Sequence, residues 1–445
     1  MASIATANNT TDTTPSTSSP SSDFIPSAIP PTSFANFARY WWQRSDRTAA
    51  IAERRVLQNI LVPKQRSLLA RLYQVPIDSA GTKRINTLLL QPRKTGDTFQ
   101  LETVENADIA SEHATDKQSN LVMCHGYGAG LGFFYRNYGA LGTMPGWRVY
   151  SIDWLGMGRS SRPKWTIKKK SSQSWDEIID EVEDHFVESL EDWRKKTGLN
   201  RMTLMGHSMG GYFATCYALK YPTRVEKLVL VSPAGVAPHP PEMAGPQKST
   251  EHGSPQQVIE KEASELNAKM QVDPAAAASS AAPAPEIEQP QPQRPRRSVP
   301  SWAAYLWDKN VTPMSIVRLG GPFGARLLNR YTSWAFRNLE TREQHDLYDY
   351  LYHITSDTGS GEYALAAILA PGAFARRPLF DRLAQLQMPT IFIYGENDWM
   401  DYRAAEKAKQ NMRVEAKVIR VPHGGHHMYL DNPEHFNRVV MEELN

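Results

Sequence analysis

Cysteine is nearly absent from this chain: only Cys124 and Cys216 occur in 445 residues, and both fall in apolar stretches that read as core elements. A disulfide-stapled scaffold is excluded, and a reducing, intracellular compartment is the expectation. A long hydrophobic run is lacking too. A spanning helix needs about 18 or more consecutive apolar residues, and the best stretch, Tyr363 to Ala375, is short and broken by Pro371-Gly372. Charge of one sign is not in excess, since 50 Lys and Arg face 47 Asp and Glu for a formal +3, so nothing marks nucleic acid as a partner. Residues 1–33 contain no Lys or Arg. They are rich in Ser, Thr, Ala and Pro, a composition expected to stay disordered, and without arginine they fail the first requirement of a mitochondrial presequence.

What is present centres on Met202-Thr-Leu-Met-Gly-His-Ser-Met-Gly-Gly-Tyr-Phe-Ala-Thr-Cys216, an apolar run broken by Gly-x-Ser-x-Gly that resumes as small and apolar residues. It reads as strand, sharp turn, helix. Gly206 and Gly210 leave room for a strained turn that lifts Ser208 out of the strand end. Its hydroxyl then stands at a helix N-terminus, where unpaired N–H groups favour developing negative charge, as an acyl-transfer nucleophile requires.

Strands and helices alternate around this turn, which predicts a mostly parallel sheet covered on both faces. The length is compatible with one such domain carrying insertions. Residues 34–75 form an expected amphipathic segment in which Trp41 and Trp42 stand among Arg39, Arg44, Arg47, Arg54, Arg55, Lys64, Arg66 and Arg71. Paired indoles with cations suit a membrane interface, and an ordinary packed helix is the alternative. The first part of the core spans 76–238. Within it, Leu121-Val-Met-Cys-His-Gly-Tyr-Gly-Ala-Gly130 is a buried strand ending in a glycine turn. That turn allows His125-Gly126 to bring the Tyr127 N–H beside that of Met209 as a two-donor oxyanion hole. Asp153, at the end of another strand, precedes Ser208 and is expected to brace its loop. A disordered insertion is expected over 239–300, rich in Ala, Pro, Gln and Arg. An aromatic helical cap follows over 301–385, placed to cover an apolar channel, and the core resumes over 386–445.

Two further strand ends complete the candidate site. Thr390-Ile-Phe-Ile-Tyr394 runs into Gly395-Glu-Asn-Asp-Trp-Met-Asp401, and Ala416 to Pro422 runs into His423-Gly-Gly-His-His-Met-Tyr-Leu-Asp-Asn-Pro433. Nucleophile, acid and base thus follow in chain order. Asp398 is the chosen acid, with Asp401 in reserve. His426 is the chosen base, ahead of His427 and His423, because two glycines let its loop reach Ser208. No cofactor and no metal is called for.

Gly206-His-Ser-Met-Gly210, His125-Gly-Tyr-Gly128, the Asp398 turn and His426-His-Met-Tyr-Leu-Asp-Asn-Pro433 together resemble the α/β-hydrolase superfamily. Further segments narrow the resemblance: Trp41-Trp42, Ile316-Val-Arg-Leu-Gly-Gly-Pro322, Gly359-Ser-Gly-Glu362 and Pro371-Gly-Ala-Phe-Ala-Arg-Arg-Pro-Leu379. They are similar to the subfamily of animal N-acyl-phospholipid lipases, the lipid-droplet lipase co-activator, and the fungal cardiolipin-specific deacylase and lysophosphatidic acid acyltransferase. The resemblance implies a phospholipid substrate, peripheral membrane association and a mitochondrial location, with lipid droplet or cytoplasm as alternatives. It also implies a His-x-x-x-x-Asp signature attributed to acyl transfer, met here by His426 and Asp431, although Asp431 could equally cap the helix that begins at Pro433. The co-activator branch lacks the serine, whereas Ser208 is kept, so a serine acyl hydrolase is the expectation.

Overall fold

The computed structural model describes residues 25–58, 68–92, 101–104, 109, 118–170, 172–238, 301–371 and 374–445. The expected disordered segments, residues 1–24 and the 239–300 insertion, lie outside the described residues, as do Lys64 and Arg66.

The N-terminal part folds as helices α1 (Phe34–Trp42) and α2 (Asp46–Leu57) followed by strand β1 (Leu68–Pro76). Ser33 caps α1, and Ser45 with Thr48 forms a reciprocal capping box at α2, each satisfying N–H groups that a helix start leaves unpaired. The segment expected as one amphipathic unit to residue 75 therefore gives way to sheet at Leu68. Leu68, Leu69 and Leu72 are buried on both faces of β1, and a strand covered on both sides gives a near-continuous apolar run that imitates helical spacing.

β1 pairs antiparallel with β2 (Arg84–Pro92) and parallel with β3 (Leu101–Val104). β4 (Ser119–Cys124), β5 (Trp147–Ile152), β6 (Met202–His207) and β7 (Val225–Val231) follow. After a short hairpin of β8 (Leu369–Ala370) and β9 (Phe374–Ala375) come β10 (Thr390–Gly395) and β11 (Ala416–Val421). One sheet takes nine of these strands in the order β11-β10-β7-β6-β4-β5-β2-β1-β3. Only β1–β2 and β2–β5 pair antiparallel in it among the described residues. The fold is thus an α/β-hydrolase fold, with a mostly parallel sheet flanked by helices.

Alternate side chains of the central strands feed two cores. Val122 and Cys124 of β4 with Met202 and Leu204 of β6 face α3 (Trp175–Lys196) and α4 (Met209–Lys220). There Phe186 stacks on Phe213 at 4.2 Å and Trp154 meets both edge-on. Leu121 and Met123 of β4 and Met205 of β6 belong to the opposite core. Both cysteines are buried thiols without a disulfide.

The cap contains α5 (Pro313–Leu319), α6 (Pro322–Ala335) and α7 (Thr341–Ser356). Proline opens α5 and α6, where its missing N–H costs nothing. The N-terminal helices pack onto the cap: Phe37 shares a core with Leu328 and Tyr348, and Tyr40 lies 4.5 Å from Tyr352. Arg159 and Arg162 tie these layers together. Arg159 donates to the buried Glu53 at 2.6 Å, and Arg162 donates to the carbonyls of Gly158, Ile354 and Thr358. Beyond the cap, helices α8 (Tyr402–Lys409) and α9 (Pro433–Leu444) follow β10 and the His426 loop.

Candidate active site

One residue separates β6 from α4, and it is Ser208. Its backbone sits at φ 54, ψ −118, a conformation that costs an L-residue on the order of 1–3 kcal/mol and persists only when its surroundings hold it. They do: the Ser208 N–H donates to the Val231 carbonyl at 2.9 Å, and the Ser208 carbonyl accepts from Ala234 at 3.0 Å. A Cβ on Gly206 would collide with the Gly210 carbonyl, and one on Gly210 with the His125 carbonyl. The turn closes only because both are glycine.

His426 Nε2 stands 3.1 Å from Ser208 Oγ, and its Nδ1 stands 3.1 Å from Asp398 Oδ1. The Asp398 carboxylate is almost fully buried and also accepts the Met400 N–H at 3.0 Å and the Ser232 hydroxyl. Carboxylate, imidazole and hydroxyl thus form one line, each held by a different strand end. The reserve acid, Asp401, is occupied elsewhere: it caps α8 by accepting the Arg403 N–H at 3.0 Å. His423 is exposed to solvent. His427 points against Phe133 and Phe336, with ring centroids 5.8 and 6.1 Å away, and burial pushes its pKa down to about 3.

The side of Ser208 expected to hold the oxyanion is built by close approach. Met209 is the first residue of α4, so its N–H has no carbonyl within the helix to bond. The His125-Gly126-Tyr127 turn abuts Ser208, since a Cβ on Gly126 would lie 3.0 Å from Ser208 Cβ. His125 is a buried scaffold. Its Nδ1–H donates to the Gly126 carbonyl at 2.7 Å and its Nε2 accepts the Trp154 N–H at 3.2 Å, and burial lowers its pKa to about 4. Asp153 braces the continuation of the turn, accepting N–H groups from Leu131 at 2.6 Å and Arg159 at 2.8 Å and the Asn86 amide at 2.7 Å. Burial raises its pKa.

Three contributors escape sequence reasoning, and a fourth, Asp431, is singled out only through its His-x-x-x-x-Asp spacing. Ser232 orients Asp398 from the end of β7. His207, although inside the Gly-x-Ser-x-Gly stretch, turns under the His426 loop, where Nε2 donates to the His426 carbonyl at 2.9 Å and Nδ1 receives the Tyr429 hydroxyl at 3.4 Å. Burial holds its pKa well below the usual value, so it stays neutral. Tyr350 of α7 is fully buried with its hydroxyl 3.3 Å from the Gly132 N–H, and a Cβ on Gly130 would collide with it. Asp431 is the fourth, in a role other than the suggested helix cap. Asn432 caps α9 by accepting the His435 N–H, whereas Asp431 Oδ2 accepts the Gly425 N–H at 2.8 Å. It therefore fastens the glycine loop that presents His426.

The two indoles of the N-terminal segment part company. Trp41 is half-buried against the cap with the Arg44 guanidinium 3.5 Å over its ring, while Trp42 is 75% exposed. Among the described residues, no group of three or more His, Cys, Asp or Glu is arranged to hold a metal ion, and no helix is long and apolar enough to cross a membrane.

A strained serine between a parallel strand and a helix, aligned with a histidine and an aspartate from later strand ends, defines the α/β-hydrolase class. The chain belongs to this family: residues 120–313 match the model of the alpha/beta hydrolase fold. Among its relatives is a probable 1-acylglycerol-3-phosphate O-acyltransferase of Oryza sativa subsp. japonica, 38% identical over 330 residues, 72% of this chain and 66% of that one. The chain thus spans about two-thirds of the rice protein. The human 1-acylglycerol-3-phosphate O-acyltransferase ABHD5 is 31% identical over 74% of this chain and 78% of its own. A (lyso)-N-acylphosphatidylethanolamine lipase of Bos taurus is 31% identical over 72% and 78%. The chain therefore falls in the subfamily that carries these acyltransferase and lipase names. Among solved structures, a carboxylesterase of Bacillus subtilis, CesB, superposes with a TM-score of 0.51 at 16% identity, over 90% of this chain and 98% of that one, a likeness of fold.

Proposed function

We propose that the protein is a serine acyl hydrolase that cleaves acyl esters of membrane phospholipids through an acyl-Ser208 intermediate. The observation that carries this is the unbroken line from Asp398 through His426 to a strained Ser208 at the head of α4. As Ser208 Oγ attacks the ester carbonyl, His426 Nε2 takes its proton, and Asp398 holds the imidazole in the required tautomer and stabilises the imidazolium. The N–H groups of Met209 and Tyr127 receive the oxyanion. Collapse breaks the bond to the glycerol oxygen, which leaves with the proton from His426. Water then repeats the sequence and frees the fatty acid.

Phospholipid as the substrate class is supported by the relatives' names, which refer to 1-acylglycerol-3-phosphate and to N-acylphosphatidylethanolamine. Cardiolipin is the specific substrate we propose within that class. The acyltransferase names favour a second outcome, in which a lysophospholipid hydroxyl takes the place of water at the acyl-serine. A lipid-bound scaffold without chemistry would not require the aligned site.

Purified protein on mixed liposomes containing cardiolipin should release fatty acid, read by lipid mass spectrometry, and a fluorophosphonate should label wild type. Ser208→Ala should abolish both, with turnover falling on the order of a thousandfold or more. Labelling that survives the substitution would place the nucleophile elsewhere. With lysophosphatidic acid and acyl-CoA supplied, dominant and acceptor-dependent phosphatidic acid would establish the transferase instead.

A further inference from the structure

The cap turns an apolar face outward. Phe323, Leu327 and Trp334 of α6 are 65, 52 and 66% exposed, and at 100° per residue they lie within about 40° of one another around the helix. Leu319 at the end of α5 is exposed as well, and so are Phe34 and Trp42 at the two ends of α1. The patch is continuous across elements at Phe34, whose ring centroid lies 5.0 Å from that of Phe323. Single exposed apolar residues are ordinary, but a cluster of large ones on packed helices marks an interaction surface.

Charge identifies the occupant. From Lys309 to Leu339 the chain holds Lys309, Arg318, Arg326, Arg330 and Arg337 and not one Asp or Glu, and from Ile25 to Ser45 it again has no acid. Arg318 is committed inward to Glu362. Arg326 and Arg337 are exposed beside the apolar face, Arg337 with its guanidinium 5.9 Å from the Trp334 ring. Apolar side chains rimmed by cations, with acids excluded, match an anionic lipid surface: the rings enter the headgroup boundary while the arginines meet phosphate. Position agrees with this. Just beyond α6, the Phe336 ring packs 6.1 Å from that of His427, the neighbour of His426, so the face and the site share one end of the cap.

We infer that Phe34, Trp42, Leu319, Phe323, Leu327 and Trp334, flanked by Arg326 and Arg337, dock the protein on an anionic bilayer. The contact thus belongs to the cap, with Trp42 at its border, and Trp41 serves as packing beneath Arg44. This docking does not depend on the chemistry at Ser208, so the two can fail separately.

The test uses the full chain with vesicles of phosphatidylcholine alone and with phosphatidylglycerol added. Wild type should co-sediment preferentially with the anionic vesicles. Phe323→Glu with Leu327→Glu should weaken that partitioning on the order of tenfold or more at every salt concentration. Arg326→Glu with Arg337→Glu should weaken it mainly at low salt, where surface charge is least screened. Turnover of a short soluble ester and the circular dichroism spectrum should stay unchanged in both pairs, which separates lost docking from lost folding. Wild-type sedimentation by Phe323→Glu with Leu327→Glu would overturn the inference. So would a wild type that binds neither vesicle, or one whose apolar face instead forms a concentration-dependent dimer in light scattering.

Discussion

Asp431 accepts a backbone N–H from Gly425, and that bond defines what its carboxylate contributes: it holds the loop, one residue before the imidazole, at the height where Nε2 meets Ser208. An amide oxygen can accept the same bond, so Asp431→Asn should keep soluble-ester turnover within about threefold of wild type. Asp431→Ala should lose on the order of tenfold or more, in line with about 1.5–3 kcal/mol for a hydrogen bond to a charged group. If Asn proves as damaging as Ala, the carboxylate handles a proton and is not a brace. The site was unevenly legible at this scale. Ser208 could be singled out because glycines flank it at a strand–helix junction, and His426 because a glycine pair precedes it. Asp398 could be preferred to Asp401 only for its place closer to the end of β10, and it is the start of α8 at Tyr402 that shows Asp401 to be a cap. Ser232 and Tyr350 carry no local pattern, because their contacts are made across the fold.

Among elements, α7 links the cap to the chemistry. Tyr350 inserts from it into the space left by Gly130 and Gly132, beside the turn that carries Tyr127. Arg55 of α2 pairs with Asp349 one residue earlier, so the N-terminal helices hold α7 in place. Tyr350→Phe keeps the ring and removes the hydroxyl. It should lower kcat about fivefold with KM nearly unchanged, because about 1 kcal/mol of loop positioning is lost while the binding surface stays. Equal kcat in the two proteins would mean that ring packing alone sets the turn. The alternation of strands and helices around the Ser208 turn was readable from the sequence. The β1 boundary and β3 were not readable, because a strand buried on both faces and a short strand in a polar loop lack the alternation that identifies sheet.

For the whole molecule, buried histidines set the response to acid. His125, His185 and His353 are lowered to about 4 and His427 to about 3, in each case chiefly by burial. Unfolded, each would take up a proton near pH 6.5. Below that pH the unfolded chain binds more protons than the native one, so stability is complete above about 6.5 and is lost as pH falls towards 4. Glu53, Asp153, Asp346 and Asp431, raised by burial, and Asp349, raised by burial to about 7, act in the opposite sense: they are protonated sooner in the folded protein and soften the loss. The denaturant midpoint should therefore fall between pH 7 and 4.5, and His185→Phe should flatten that slope by up to one proton. A midpoint that holds steady over this interval would contradict the assignment of these rings as neutral.

The pairing of β7 with β10 sets Leu228 beside Thr390 and Val231 beside Ile393, so everything between residues 232 and 389 is a detour whose two ends are pinned side by side. Closing such an excursion costs only about 0.6 kcal/mol more each time its length doubles. Evolution can therefore lengthen, trim or exchange the excursion while the sheet beneath stays the same. Ser208 lies before the excursion and Asp398 and His426 after it, so a recombination that grafts a new one between these strands would keep all three in place, while the brace that Tyr350 supplies from within the excursion would have to be built anew.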